Sequence, residues 1–311
     1  MIHIGDISGA EFGFKNTEFW RIHPDGEIRD TYRFLTNVFE MSEEEFFEYY
    51  NVIKENTERN TYYQEWKDER EKLEKLFPEF PLSNVWMCQQ TAPRLPEKSV
   101  LHLGILNSLR SWGLYDTPRS VYSYANVGGF GIDGVLSTCV GASLANPDKL
   151  FFCVLGDLAV FYDLNILGNR QIGNNLRIIV SNNGTGYEMH CANSNGLGLG
   201  YEGVDKFICA GGHNGRKSRV LLRHFAENLG FEYLKAESKE EYLNHLDYFV
   251  SDERYNKPIL FEVFVREEDD DAAYRATKIT ITSSSSAAKK VIKSVLGDSG
   301  VQKLKNVLSR D

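Results

Sequence analysis

Apolar residues along this chain keep two different rhythms. Phe46, Tyr49, Tyr50 and Ile53, and then Tyr62, Trp66, Leu73, Leu76 and Phe77, recur at helical spacing. Ser42-Glu43-Glu44-Glu45 matches a capping box ahead of the first of these runs. Glu69, Arg70, Glu71, Lys72, Glu74 and Lys75 fill the opposite, solvated face, and Pro78 and Pro81 end the pattern. Beyond 82 the rhythm changes. Leu150–Leu155 and Leu176–Val180 are short apolar runs, as expected of strands buried on both faces. Further strands are predicted at Ser120–Tyr124, Phe231–Lys235 and Pro258–Val265. Helices are predicted at Leu101–Trp112, Asp133–Ala145, Asp157–Asn169, Arg219–Asn228 and Glu240–Phe249. Buried strands alternating with helices predict an α/β fold, a parallel sheet with helices on both faces.

The flanks differ. Ile2–Gly5 and Phe19–His23 read as two short strands, the second ending at the turn Pro24-Asp25-Gly26. They are either the end of a middle domain that is truncated or split (1–40) or a hairpin pinned to the main domain. A helical linker follows at 41–81, and the sheet domain occupies 82–266. Beyond it, Glu267–Asp271 is an acidic run and Ser283–Ser286 a serine run. The stretch 287–310 is basic and amphipathic, so 267–311 reads as a linker and a helical tail.

Composition narrows the class. Of 311 residues, 42% are hydrophobic and 25% charged, as in an ordinary globular protein. A net charge of -9 argues against sequence-independent nucleic-acid binding. No apolar run approaches a membrane span, and Met1–Asp6 does not resemble a signal peptide. The five cysteines form no CxxC pair, and Cys139 and Cys153 sit in apolar runs as small core residues. A reducing cytoplasm is the expected location.

Ligands of such sheets bind at the carboxyl ends of the strands. Three loops fall there: Gly128–Gly134, Gly156-Asp157-Leu158 and Ser181–Gly186. Gly129-x-Gly131-x-x-Gly134, with Asp157 as a later acid, matches a dinucleotide fingerprint, so an NAD-binding Rossmann oxidoreductase is one reading. A second reading uses more of the residues. Asp157 and Asn182 each end a buried strand and offer one hard oxygen, and Gly184 can add a carbonyl. This set suits Mg²⁺ or Ca²⁺ shared with a diphosphate. Backbone N–H groups of Gly156, Asp157, Leu158 and Ala159 open a helix and can receive phosphate oxygens.

Gly156-Asp157-Leu158 followed by Asn182-Asn183-Gly184 resembles the diphosphate and metal motif of thiamine-diphosphate enzymes. With Leu106-Asn107-Ser108-Leu109, Gly131–Thr138 and Asp163-Leu164-Asn165, the stretch from about 100 to 265 resembles one family more narrowly. That family is the menaquinone-pathway succinyl-enolpyruvyl-hydroxy-cyclohexene-carboxylate synthases, in their C-terminal cofactor domain. They join a succinyl semialdehyde unit from 2-oxoglutarate to isochorismate. Phe19–Asp30 is similar to the end of their middle domain.

The resemblance implies thiamine diphosphate and Mg²⁺ (or Ca²⁺) as cofactors, with Asp157, Asn182 and Gly184 on the metal. It implies Ile132 as the apolar buttress of the bent cofactor and Ser108 as an active-site serine. Gly131, Thr185 and Gly186 complete the implied cofactor-binding set. Two family arginines are replaced, one by Trp112 and one within the neutral stretch Ala125–Gly129. Neutral residues cannot replace their bidentate grip on carboxylates, so the acceptor beside a 2-oxo acid donor is expected to be less anionic. The family's pyrimidine-binding domain, with its activating glutamate, has no match here. The chain is therefore expected to be half of a carboligase or 2-oxoacid decarboxylase. A second chain or a homo-oligomer would complete it; a non-catalytic subunit retaining the fold is the further alternative. His190 and His213 flank a glycine-rich stretch, and His190 is a candidate for proton transfer.

Overall fold

The computed structural model describes residues 1–4, 17–30, 32–50, 61–127, 129, 131–190, 200–207, 209 and 218–282. His213, Cys191, the serine run and the basic tail lie outside the described residues. The chain divides into two compact units, Met1–Asp68 and Glu69–Asp311.

The first unit holds β1 (Ile2–Ile4), β2 (Phe19–Ile22) and β3 (Leu35–Phe39) in one sheet, in that order. Both pairings are parallel, so Ile2–Ile4 and Phe19–Ile22 do not form a hairpin. Parallel neighbours need a crossover, which Pro24-Asp25-Gly26 alone could not supply. α1 (Glu43–Tyr50) carries the capping box as expected: Glu45 N–H donates to Ser42 Oγ at 3.2 Å and Ser42 N–H to Glu45 Oε2 at 2.9 Å. Its Phe46 packs on Phe39, with ring centroids 5.1 Å apart. α2 (Tyr62–Leu76) follows.

The second unit is built on six strands: β4 (Val100–Leu103), β5 (Tyr122–Ala125), β6 (Phe151–Gly156), β7 (Leu176–Asn182), β8 (Glu232–Ala236) and β9 (Ile259–Phe264). All pairings are parallel, in the order β5-β4-β6-β7-β9-β8. Successive side chains of a strand point to opposite faces, and the apolar runs divide accordingly. Phe152, Val154, Ile179, Phe261 and Val263 join one core cluster. With them pack α3 (Asn84–Thr91), α4 (Asn107–Trp112), α9 (Lys239–Val250) and α10 (Glu267–Thr282). Phe151, Cys153, Leu155, Ile178 and Val180 join the other, with α5 (Val135–Ala145), α6 (Asp157–Tyr162) and α8 (Leu221–Asn228). Helices thus cover both faces, as the apolar runs predict. Cys139 and Cys153 are free, fully buried core residues.

Three elements differ from the sequence expectation. Leu101–Leu103 belongs to a strand rather than a helix; burial on both faces removes the alternation that would have marked it. The helix from Asp157 stops at Tyr162 and continues from Leu164 to Gly168 as a 3-10 turn. The acidic run is not linker. It opens α10, whose Asp270, Ala273, Ala276 and Thr277 are buried.

Candidate functional site

The chain runs from β4 out to β5 and returns on the other side of β4 to β6. That reversal opens a crevice at the strand ends. A cleft of about 460 Å³ lies there, within the usual range for small-molecule sites. It is lined by the loops after β4, β6 and β7, by 131–133 and by Asn84.

Ser108, Gly131, Ile132, Gly156, Asp157, Leu158, Ala159, Thr185 and Gly186 all line the cleft. Ser108 is buried in the first turn of α4. Ile132 is half-buried, its apolar side chain packed on the core. Leu106 lines the cleft with φ +70°, a strained backbone for a side-chain-bearing residue. Gly184 makes the turn after β7 at φ +73°. At Gly186 a Cβ would stand 2.9 Å from the Cys209 carbonyl oxygen, so glycine is required for the close approach.

Asp157, the first residue beyond β6, is 1% exposed. Burial pushes its carboxyl up to about 7, although N–H groups of Asp157, Asn183 and Leu158 hydrogen-bond it; the nearby charge of Glu262 raises it further. A buried acid in this balance is one that an added cation would hold ionised.

Asn182 is placed differently from expectation. β7 extends to Asn182, so this residue still belongs to the sheet and does not line the cleft. Its Nδ2 donates to Glu262 Oε1 at 2.6 Å, and its Oδ1 accepts the Gly184 N–H at 3.1 Å. Gly184 also lies off the cleft wall. Asn183, the first residue beyond the strand, lines the cleft with Thr185. The pair of identical residues hid this shift; the true end of the strand distinguishes them.

A carboxylate, an amide oxygen and turn carbonyls suit a hard cation that keeps other oxygens from a ligand. Among the described residues, no three His, Cys, Asp or Glu side chains form a metal cage. Residues present therefore fit a cation shared with a diphosphate rather than one held by protein alone.

The charged residues lining the cleft are Asp133, Asp157 and Glu188, with no Lys or Arg among the described lining residues. Arg110 is ion-paired with Glu188. Trp112, in the place of a family arginine, is 3% exposed and sits in the core. His190 does not line the cleft; it stacks on Tyr201, centroids 4.1 Å apart, and is hydrogen-bonded to Glu267. The glycine fingerprint follows β5, an edge strand, and Gly129 has open space around it. A dinucleotide fingerprint instead follows a central strand and uses its glycines for close approach.

No family model matches the chain. It is 35% identical over 254 residues to the 2-succinyl-5-enolpyruvyl-6-hydroxy-3-cyclohexene-1-carboxylate synthase of Bacteroides thetaiotaomicron, covering 81% of this chain and 43% of that protein. The Phocaeicola vulgatus synthase of the same name is 33% identical over 259 residues, covering 83% and 44%. The chain thus spans less than half the length of these relatives. A solved structure, the thiamine diphosphate-dependent 4-hydroxybenzoylformate decarboxylase of Rhodococcus jostii RHA1, superposes with TM-score 0.56 at 17% identity. The match covers 80% of this chain and 44% of that one.

Proposed function

This chain belongs to the thiamine-diphosphate-dependent enzymes as a relative of the 2-succinyl-5-enolpyruvyl-6-hydroxy-3-cyclohexene-1-carboxylate synthases, and on that premise we propose that its cleft holds thiamine diphosphate with Mg²⁺ or Ca²⁺. The observation that carries this reading is the buried Asp157 carboxyl at a strand end, beside Asn183 and the 183–186 turn. Asp157 and the Asn183 amide oxygen would hold the cation, with a backbone carbonyl of that turn. Ile132 would support the cofactor from below, and Ser108 would face the reacting end. Bound thiamine diphosphate supplies carbanion stabilisation. The chain's own residues orient it, exclude water and set the charge of the substrate space.

That space is acidic or neutral on its described walls, which favours a 2-oxo acid donor paired with a weakly anionic acceptor. The activity is carboligation or decarboxylation. It is completed by a pyrimidine-binding domain from another chain, a second copy or a segment outside these residues. The coverage of under half of each relative supports that division.

Single variants test the site. Asp157→Ala and Asn183→Ala should each abolish Mg²⁺-dependent thiamine diphosphate binding, while Asn182→Ala should retain it. Loss in Asn182→Ala with retention in Asn183→Ala would return the ligand role to Asn182.

A further inference from the structure

The acidic start of α10 reaches the segment after β7 at three points. Asp270 hydrogen-bonds the side chain of Asn183, the Tyr187 hydroxyl donates to Asp271 at 3.1 Å, and His190 is bonded to Glu267. Positions 267, 270 and 271 share one helix face. Asp270 goes deepest, at 2% exposure. Its Oδ1 accepts the Asn84 backbone N–H at 2.7 Å, and Asn84 Nδ2 lies 3.4 and 3.1 Å from its two oxygens. Its Oδ2 also accepts Asn107 Nδ2 at 3.4 Å. Asn84, Asn107 and Asn183 come from three separate segments, and each lines the cleft.

An ionised carboxylate only accepts. An asparagine amide has a donor end and an acceptor end of nearly equal size, so a neighbour that only accepts decides which end faces it. With the nitrogens held by Asp270, the oxygens point elsewhere. Asn183 Oδ1 accepts the Thr185 N–H at 3.2 Å, and Asn107 Oδ1 accepts Ser111 Oγ at 3.3 Å. Asn84 Oδ1 is buried with no hydrogen-bond partner among the described residues.

We propose that Asp270 is a positioning residue of the cleft, fixing the amide of Asn183 so that its oxygen rather than its nitrogen is offered to the cation. The cation itself rests on the cofactor reading above. In Asp270→Asn the helix offers N–H as readily as oxygen, so the Asn183 amide is free to turn over. Loss of a group that orients a metal ligand typically costs roughly 10–100-fold in affinity.

The test is a double-mutant cycle in the full chain, reading Mn²⁺ binding by electron paramagnetic resonance with thiamine diphosphate present. Asp270→Asn should weaken binding roughly 10–100-fold. Asn183→Asp should also weaken it, because its carboxylate would face that of Asp270. The Asp270→Asn/Asn183→Asp double variant should recover affinity, since the new carboxylate accepts from the new amide and still offers oxygen to the metal. A merely structural role for Asp270 gives losses that add, and additive losses would overturn the proposal. Asn183→Asp alone decides the matter if Asp270→Asn does not fold: tighter Mn²⁺ binding in that variant contradicts opposition from Asp270. A ligand-free arm separates this inference from the cofactor reading. Thr185 amide exchange should accelerate in Asp270→Asn without any ligand, and unchanged exchange overturns the role of Asp270. Absence of Mn²⁺ binding in the wild type, with Thr185 exchange accelerated in the variant, would instead reject the cofactor reading alone.

Discussion

Asn182 and Asn183 are chemically identical neighbours with different surroundings, because β7 ends between them. Asn182 holds Glu262, a buried carboxylate whose pKa burial raises and which Tyr233 also binds. Asn182→Ala should therefore cost roughly 1–3 kcal/mol of stability, read by urea denaturation, because it leaves a buried acceptor short of a donor. Gly186→Ala should cost about 1–3 kcal/mol through overpacking against the Cys209 carbonyl. A Tm within a degree of wild type would contradict it. His102 tests burial by pH. It is 4% exposed between Tyr124 and Phe151, and burial lowers its pKa from 6.5. Below about pH 6.5 the unfolded chain binds a proton that the folded His102 resists, so its contribution to stability falls as pH falls. His102→Phe should lose less stability than wild type between pH 7.5 and 5.5; parallel losses would contradict this. At this scale Asp157, Ser108 and Ile132 were legible in the sequence, since each sits in a loop after a readable strand or in a quoted motif. Asn183 was not, because apolar patterning ends at Val180 while the strand continues through the polar Ser181 and Asn182.

Elements were legible where their surroundings are simple. β6, β7 and β9 carry unbroken apolar runs because both faces are covered, and α1 carries its capping box in plain letters. β4 was obscured because Leu101, Ile105, Leu109 and Trp112 fall near helical spacing across a strand, a turn and a helix. α10 was obscured by charge. Glu267-Glu268-Asp269-Asp270-Asp271 reads as solvated linker, yet alternate acids have opposite fates. Asp270 is buried, while Glu268 is exposed and ion-paired with Arg266. Glu268→Gln should leave stability within about 0.5 kcal/mol of wild type. Ala273→Asp, at a buried position of the same helix, should destabilise strongly by placing an unpaired charge in the core. Equal effects from the two, measured by thermal melting, would mean that α10 is not docked as described.

For the whole molecule, the parallel six-stranded sheet with helices on both faces follows from alternating buried runs, and its strand order places the crevice. Among the described residues, no helix is long and apolar enough to cross a membrane. Strand direction in the first unit was not legible, because three short strands carry no signal of what lies between them. On the proposed division of the site, the 311-residue chain alone should not decarboxylate pyruvate or 2-oxoglutarate; turnover should appear when a pyrimidine-binding-domain protein is added. Robust turnover by the chain alone would place the activating acid within it. The most direct measurement is isothermal calorimetry of the full chain with thiamine diphosphate, with and without Mg²⁺, and with NAD in a separate titration. The account expects saturable, Mg²⁺-dependent binding of thiamine diphosphate and none of NAD. Binding of NAD, or no binding of thiamine diphosphate at any Mg²⁺ concentration, would contradict it.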